Sequence, residues 1–424
     1  MQARPDHLQA MIRHAVARSP YYRKAIGPLP DGGIPLRELP VMTKQQMMDE
    51  FDRIVTDPRL SLAITERHLG GDLAGEPLFG EYRIFASGGT SGRRSITVYD
   101  QAAWQAAVAT LRDVLSIQEI THESRLVGIG SPTPLHMTNR LFPELHGLQL
   151  GAPRLAVTTP MPQVVRALNE YRPDVIITYP SFIRQLAEEQ AAGRLRVAPR
   201  KFGSVAETLT QQVREIARAT WGAAVLNVYG ATEVGVIGAE CPHARGLHVA
   251  EDRVVVEVVD DENQPVAPGA VGSKVLVTAL FNRALPLIRY ELPDLVRLAA
   301  EPCPCGRHGM RLGSVEGRRE DVLTLPAHDG GRVRVHVFHL EGPLLRIPAV
   351  QQFQITPQAD HLHVRVALRD GAPATEVVQS VLRTLQSELQ KAGAAIEGLT
   401  VQAVGAIARS GTGAKQRLLV AQGG

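Results

Sequence analysis

The sequence predicts an α/β protein built from a large N-terminal unit and a small α+β C-terminal unit, and three stretches of different pattern predict it. From about residue 100, helical stretches such as AAWQAAVATLRDVL alternate with the short apolar runs RLVGIG, PRLAVTT, PDVIITY, KFGSVA and AAVLNVYG. Short runs rich in β-branched residues and separated by helices read as parallel strands covered on both faces. After residue 250 the helices stop, and RVVVEVVD, the turn-forming NQPVAPGAVG and SKVLVTAL read as antiparallel hairpins. Near residue 320 come QQFQITP, HLHVRVAL, a helix at ATEVVQSVLRTLQSELQKAG and LTVQAVGAI, a minor domain of about 100 residues.

The chain opens with a helical arm over residues 6–26, where Leu8, Met11, Ile12, Ala15 and Val16 recur at helical spacing and Pro20 and Gly27 mark stops. With 424 residues, 44% of them hydrophobic, the chain can bury a substantial core in two or three domains. The 46 Lys and Arg stand interspersed with 43 Asp and Glu, a formal charge of +3, so neither nucleic acid nor an anionic membrane is expected as a partner. The N-terminus lacks an apolar leader core and no run of 18 apolar residues occurs, which predicts a cytoplasmic protein. Three cysteines, an odd number in a large chain, do not make a disulfide framework and fit a reducing compartment.

Within RIFASGGTSGRRS, residues 83–95, Gly88, Gly89 and Gly92 let backbone N–H groups approach an anion. Ser87, Thr90, Ser91 and Arg93 can complete its coordination. The stretch reads either as a phosphate-binding loop or as a solvated turn. It is not the G-x-x-x-x-G-K-[ST] loop, because arginines follow Gly92. In NVYGATEVG, residues 227–235, a strand ending in a glycine turn at Gly230 puts Tyr229 at the lip of a sheet. An aromatic face there can stack on a planar base. The bland alternative is an ordinary strand-to-helix turn.

Five segments together resemble the core motifs of the adenylate-forming superfamily, most closely its phenylacetate–CoA ligase-like branch, and the resemblance covers nearly the whole chain. SPYYRK (19–24) and LPVMTKQQM (39–47) are similar to the branch's opening elements. RIFASGGTSGRRS resembles the S-S-G-T-T-G-K-P loop that contacts the ATP β- and γ-phosphates, with departures at Gly88, Ser91 and Arg93. Arginine can hold phosphate as lysine does. NVYGATEVG resembles Y-G-x-T-E, which implies Tyr229 on adenine, Thr232 at the α-phosphate and Glu233 on Mg²⁺. RYELPD (289–294) is similar to R-Y-x-x-x-D, which implies that Asp294 accepts hydrogen bonds from the ribose hydroxyls. GRRED (317–321) resembles the hinge motif G-R-x-D-D, with Arg318 at the nucleotide and Glu320 at the pivot.

That hinge implies an ATP- and acyl-binding domain over 1–319 and a small mobile domain over 320–424. The branch's G-x-N-x-x-P is replaced by LPAHDGGRVRVHVFHLEG, which alters the entry into the small domain. RSGTGAKQR (409–417) resembles the terminal element carrying the adenylation lysine, which makes Lys415 the candidate, with Ala414 inserted before it.

Cys241, His248, Cys303 and Cys305 form a Cys₃His set suited to tetrahedral Zn²⁺, and GLHVAED resembles the wording of a metal site in some members of the branch. His243 is a rival ligand, and three ordinary buried thiols are the alternative reading. A fully ligated site would be structural. By resemblance, Tyr179, Ser181 and Phe182 wall an acyl pocket, residues 131–147 face them, and Ala206 and Glu207 form the floor. An apolar wall with few polar groups suits an aryl or medium acyl carboxylate. The resemblance therefore implies an AMP-forming carboxylate–CoA ligase using ATP, Mg²⁺ and CoA. Two alternatives stand beside it: transfer of the acyl group to an amine or carrier protein, and a degenerate nucleotide-binding protein without turnover.

Overall fold

A computed structural model describes residues 5–71, 74–87, 95–144, 152–345, 347–358, 361–407 and 418–420. The chain forms two compact units, Met1–Glu316 and Gly317–Gly424. No helix among the described residues is long and apolar enough to cross a membrane.

In the large unit the expected apolar runs form parallel strands: Leu126–Gly130, Val175–Thr178, Lys201–Ser204 and Ala224–Ala231 pair side by side, with Leu155–Ala156 at the edge. Helices alternate with them. Gln101–Ile117 begins at Asp100, whose side chain accepts from Ala103 N at 2.7 Å, and its Trp104, Ala107, Leu111 and Leu115 are buried. Gln211–Trp221 ends at Gly222 in the left-handed conformation, φ 68°.

At Ala224–Ala231 the sheet changes sense. The chain does not pass from that strand into a helix; it turns back as the antiparallel strand Gly235–Glu240, and Leu247–Val249 and Arg311–Arg318 follow in a mixed sheet of ten strands. Gly230 makes this turn possible, because a Cβ there would lie 2.6 Å from the Gly235 carbonyl oxygen.

A second sheet pairs Val254–Val259, Lys274–Ala279 and Tyr290–Leu292 antiparallel, and the N-terminal arm packs on it. The arm is two helices, Pro5–Arg18 and Pro20–Ile26, the second capped by Ser19 and started by Pro20. Tyr22 is fully buried; its hydroxyl donates to Pro286 O at 3.1 Å and accepts from Ile288 N at 3.1 Å. Beyond the arm, Met42 N donates to Arg289 O and Glu291 N to Met42 O, so Met42 bridges the start of RYELPD on either side of Tyr290.

In the small unit, residues 322–342 form the hairpin Val322–Pro326 with Arg332–His336 and most of the helix Val337–Leu345. Val350–Gln358 pairs antiparallel with His361–Leu368, and Gly398–Val404 runs parallel to the latter after the helix Ala374–Lys391 crosses over. That helix buries Val377, Val381, Leu385 and Leu389, four apart, against Phe353, Ile355, Leu362, Val364 and Val366.

Replacing Tyr22 by Phe leaves the buried Ile288 N–H without its partner. The expected loss is about 1–3 kcal/mol of stability in urea unfolding, and an unchanged midpoint would show that the arm does not depend on this hydroxyl.

Candidate active site

The strands Arg83–Ala86 and Ile96–Tyr99 form an antiparallel hairpin. Gly88, Gly89, Thr90, Ser91, Gly92 and Arg93, between them, lie outside the described residues, as does Lys415. The stem of that loop is described. Ser87 N donates to Ser95 O at 2.9 Å, and the two hydroxyls bond to each other at 2.5 Å. Ser95 Oγ donates to Glu233 Oε1, and Tyr290 OH reaches the same oxygen at 3.5 Å. Tyr99 OH donates to the Thr232 carbonyl at 2.9 Å. Burial, reinforced by the Glu233 charge, raises the Tyr99 pKa, so the phenol stays a neutral donor.

Glu233 is 6% exposed, and among the described residues no Lys, Arg or His pairs with it. Among the described residues the side-chain partners of this carboxylate are hydroxyls, neutral donors that offset a buried charge less than a cation does. Tyr229 and Asp294, 65 residues apart, meet beside it: Tyr229 OH donates to Asp294 Oδ2 at 2.8 Å, and both residues are buried.

Arg289, first residue of RYELPD, has φ 48°, and its guanidinium is spent on structure. It pairs with Glu257 through two bonds of 3.1 Å and donates to the Arg37 and Leu39 carbonyls at 3.0 and 2.8 Å. Burial raises the Glu257 pKa and the Arg289 charge opposes that rise. In the small unit, Arg318 pairs with Glu320 at 3.3 Å.

Tyr179 caps the helix Pro180–Ala191, and both Tyr179 and Phe182 are buried, which leaves Ser181 as the half-exposed member of that turn. Glu207 follows Ala206, a residue with φ 68°, and its Oε2 accepts from Ser181 N at 3.1 Å, placing a carboxylate on a helix N-terminus. The helix Met137–Leu141 leads to Phe142, whose ring would clash with any Cβ at Gly128. Arg140 lies over the Phe85 ring at 5.2 Å. Ser95, Tyr99 and Tyr290 are site residues that sequence reading missed. For Ser95 the one available signal was a hydroxyl immediately after the Gly-rich loop.

The ligand atoms of Cys241, His248, Cys303 and Cys305 lie within 4.8 Å of one another. Cys241 Sγ is 3.6 Å from Cys303 Sγ, and Cys305 Sγ is 3.4 Å from His248 Nε2. A tetrahedral zinc with ordinary bond lengths has S···S edges of about 3.8 Å and S···N edges of about 3.6 Å, so the donor set fits that ion. The rival His243 is exposed and stands outside the set. Burial pushes Cys241 up to about 11, and burial, with Arg311 and Arg307, lowers His248 and keeps its imidazole neutral, the ligating form.

The profile of the AMP-binding enzyme family matches residues 84–277, the span from the loop hairpin to the second sheet. Phenylacetate-coenzyme A ligase of Thermus thermophilus is 30% identical over 81% of this chain and 75% of its own length. This chain belongs to the adenylate-forming superfamily, in its phenylacetate–CoA ligase-like branch. It is an ATP-dependent, AMP-forming ligase that joins a small carboxylic acid to CoA. The corresponding ligase of Aromatoleum evansii is 25% identical over 91% of this chain and 86% of its own. The fold is shared with a crystal structure of 2-hydroxyisobutyryl-CoA ligase in the postadenylation state, in complex with 2-HIB-AMP, at a TM-score of 0.74 and 20% identity over 99% of this chain and 88% of that one.

The Arg289–Glu257 pair anchors the start of the segment that runs through the strand Tyr290–Leu292 to Asp294. Glu257→Ala leaves a buried guanidinium without its counter-charge, with an expected cost of about 3–5 kcal/mol in urea unfolding. A loss under 1 kcal/mol would mean that water takes the place of the carboxylate.

Proposed function

We propose that the enzyme activates an aryl or largely apolar acyl carboxylate, with adenylation centred on Thr232 and Glu233. The observation that carries this reading is the buried Glu233 carboxylate, tied to the stem of a Gly/Ser loop and lacking a cation among the described residues. A carboxylic acid is a poor electrophile because oxide is a poor leaving group. The acid's carboxylate oxygen attacks the ATP α-phosphorus, pyrophosphate leaves, and an acyl adenylate forms. The CoA thiolate then attacks the acyl carbonyl and AMP departs.

Residue roles follow from what each side chain can do. Tyr229 offers its ring to adenine while its hydroxyl orients Asp294, whose other oxygen serves the ribose hydroxyls. Thr232 faces the α-phosphate from a backbone pinned by Tyr99. Ser87 and residues 88–93 surround the β- and γ-phosphates, and Lys415 neutralises charge that develops during adenylation. Glu233 would hold Mg²⁺, which when bound offsets the charge of the departing pyrophosphate. Ser181, Ala206 and Glu207, with Tyr179 and Phe182 behind them, set the shape of the acid pocket. The small domain turns about Glu320 between the two half-reactions, and Arg318 contacts the nucleotide. Phenylacetate is the acid of the named relatives and the first to try. CoA is the acceptor in this reading, and the assembled Tyr229, Thr232, Glu233 and Asp294 weigh against a degenerate protein.

A screen of pyrophosphate release over phenylacetate, other aromatic acids and fatty acids, with and without CoA, tests the reading. Release driven best by an aryl acid, with CoA consumed in step, is expected; release with no acid preference, or none with any acid while ATP still binds, would overturn it.

Cys241, His248, Cys303 and Cys305 hold a structural zinc in this reading, with all four positions filled by protein and none left for chemistry. Metal analysis should find one zinc per chain, and Cys303→Ser should lower the melting temperature far more than it alters the kinetics of folded enzyme. Zinc-free protein with three freely reactive thiols would remove the site.

A further inference from the structure

We propose that Ser95 is a positioning residue through which the stem of the phosphate loop orients Glu233 for its metal; this rests on the reading of Glu233 as the Mg²⁺ ligand. A count of hydrogens fixes the direction of the network. Ser95 has one hydroxyl proton, and it goes to Glu233 Oε1. The bond between the two serine hydroxyls must therefore run from Ser87 to Ser95, while Ser95 N–H donates back to Ser87 Oγ at 3.4 Å. The polarised chain Ser87 to Ser95 to Glu233 ends on one carboxylate oxygen, which Tyr290 OH also approaches. With Oε1 turned toward hydroxyls, Oε2 is, among the described residues, the oxygen left to face a cation.

The same strand holds the neighbouring residue. Tyr99, four positions beyond Ser95, fixes the Thr232 carbonyl. Two hydroxyls from one segment thus grip two consecutive residues, 232 and 233, whose proposed partners are the α-phosphate and the metal.

The test is calorimetric titration of the full chain with ATP at several Mg²⁺ concentrations, alongside the Mg²⁺ dependence of acid-driven pyrophosphate release. Ser95→Ala should weaken apparent Mg²⁺ affinity roughly 10- to 100-fold, as loss of a partner to a metal-holding side chain does. Binding of metal-free ATP and the KM for the acid should hold. Ser95→Thr, which keeps the hydroxyl, should restore the affinity, and Ser95→Ala added to Glu233→Gln should cost nothing further. If Ser95→Ala proves unstable, Ser95→Cys, which keeps a side chain of similar size but is a weaker donor, should give a smaller loss of the same kind. Wild-type Mg²⁺ dependence in Ser95→Ala beside its loss in Glu233→Gln would overturn the role of Ser95 alone. Wild-type dependence in Glu233→Gln would overturn the metal-ligand reading, and this proposal with it.

Discussion

A carboxylate buried at 6% exposure, with hydroxyls on one oxygen and no cation among the described residues, is the constraint around which the large unit is organised. Burial of an uncompensated charge is tolerated only where something else offsets it, which in the proposed function is the Mg²⁺ that comes with nucleotide. Four separate elements converge to hold Glu233 and its neighbour Thr232: the loop stem, the strand Ile96–Tyr99, the hairpin at Gly230 and the strand Tyr290–Leu292. Each supplies a neutral donor or a backbone path. Among the described residues of these elements none pairs a positive charge with Glu233.

The placement of that last strand depends in turn on the N-terminal arm and on residues 37–42 that follow it. Tyr22, Met42 and the carbonyls of Arg37 and Leu39 all bind the segment from Pro286 to Glu291, and Arg289 is held in a left-handed conformation by partners on both sides. Strain of that kind persists where the surroundings over-determine it. The arm is therefore part of the nucleotide site's foundation although it contributes no residue to the chemistry.

Much of this was legible in the sequence, and the rest was not for identifiable reasons. The parallel strands announced themselves because both faces are covered, so their β-branched residues run without interruption, as in PDVIITY. The antiparallel half was hidden: Gly235–Glu240 and Leu247–Val249 are short and lack alternation, and GATEVG reads as readily toward a helix as toward a hairpin. Residue types and the wording GLHVAED pointed to the donor set with His248 rather than His243, and the structure brings those same four residues together. The bond from Ser95 to Glu233 spans 138 residues and involves a serine in a stretch full of hydroxyls, so no local pattern singles it out.

The central claim, that adenylation is built on Glu233, is tested most directly by separating the half-reactions in Glu233→Gln. The account predicts that acid-dependent exchange of labelled pyrophosphate into ATP falls by orders of magnitude, while thioester formation from presynthesised acyl adenylate and CoA continues near the wild-type rate. Exchange that persists at the wild-type rate, or an equal loss of both half-reactions in a folded protein, would contradict it.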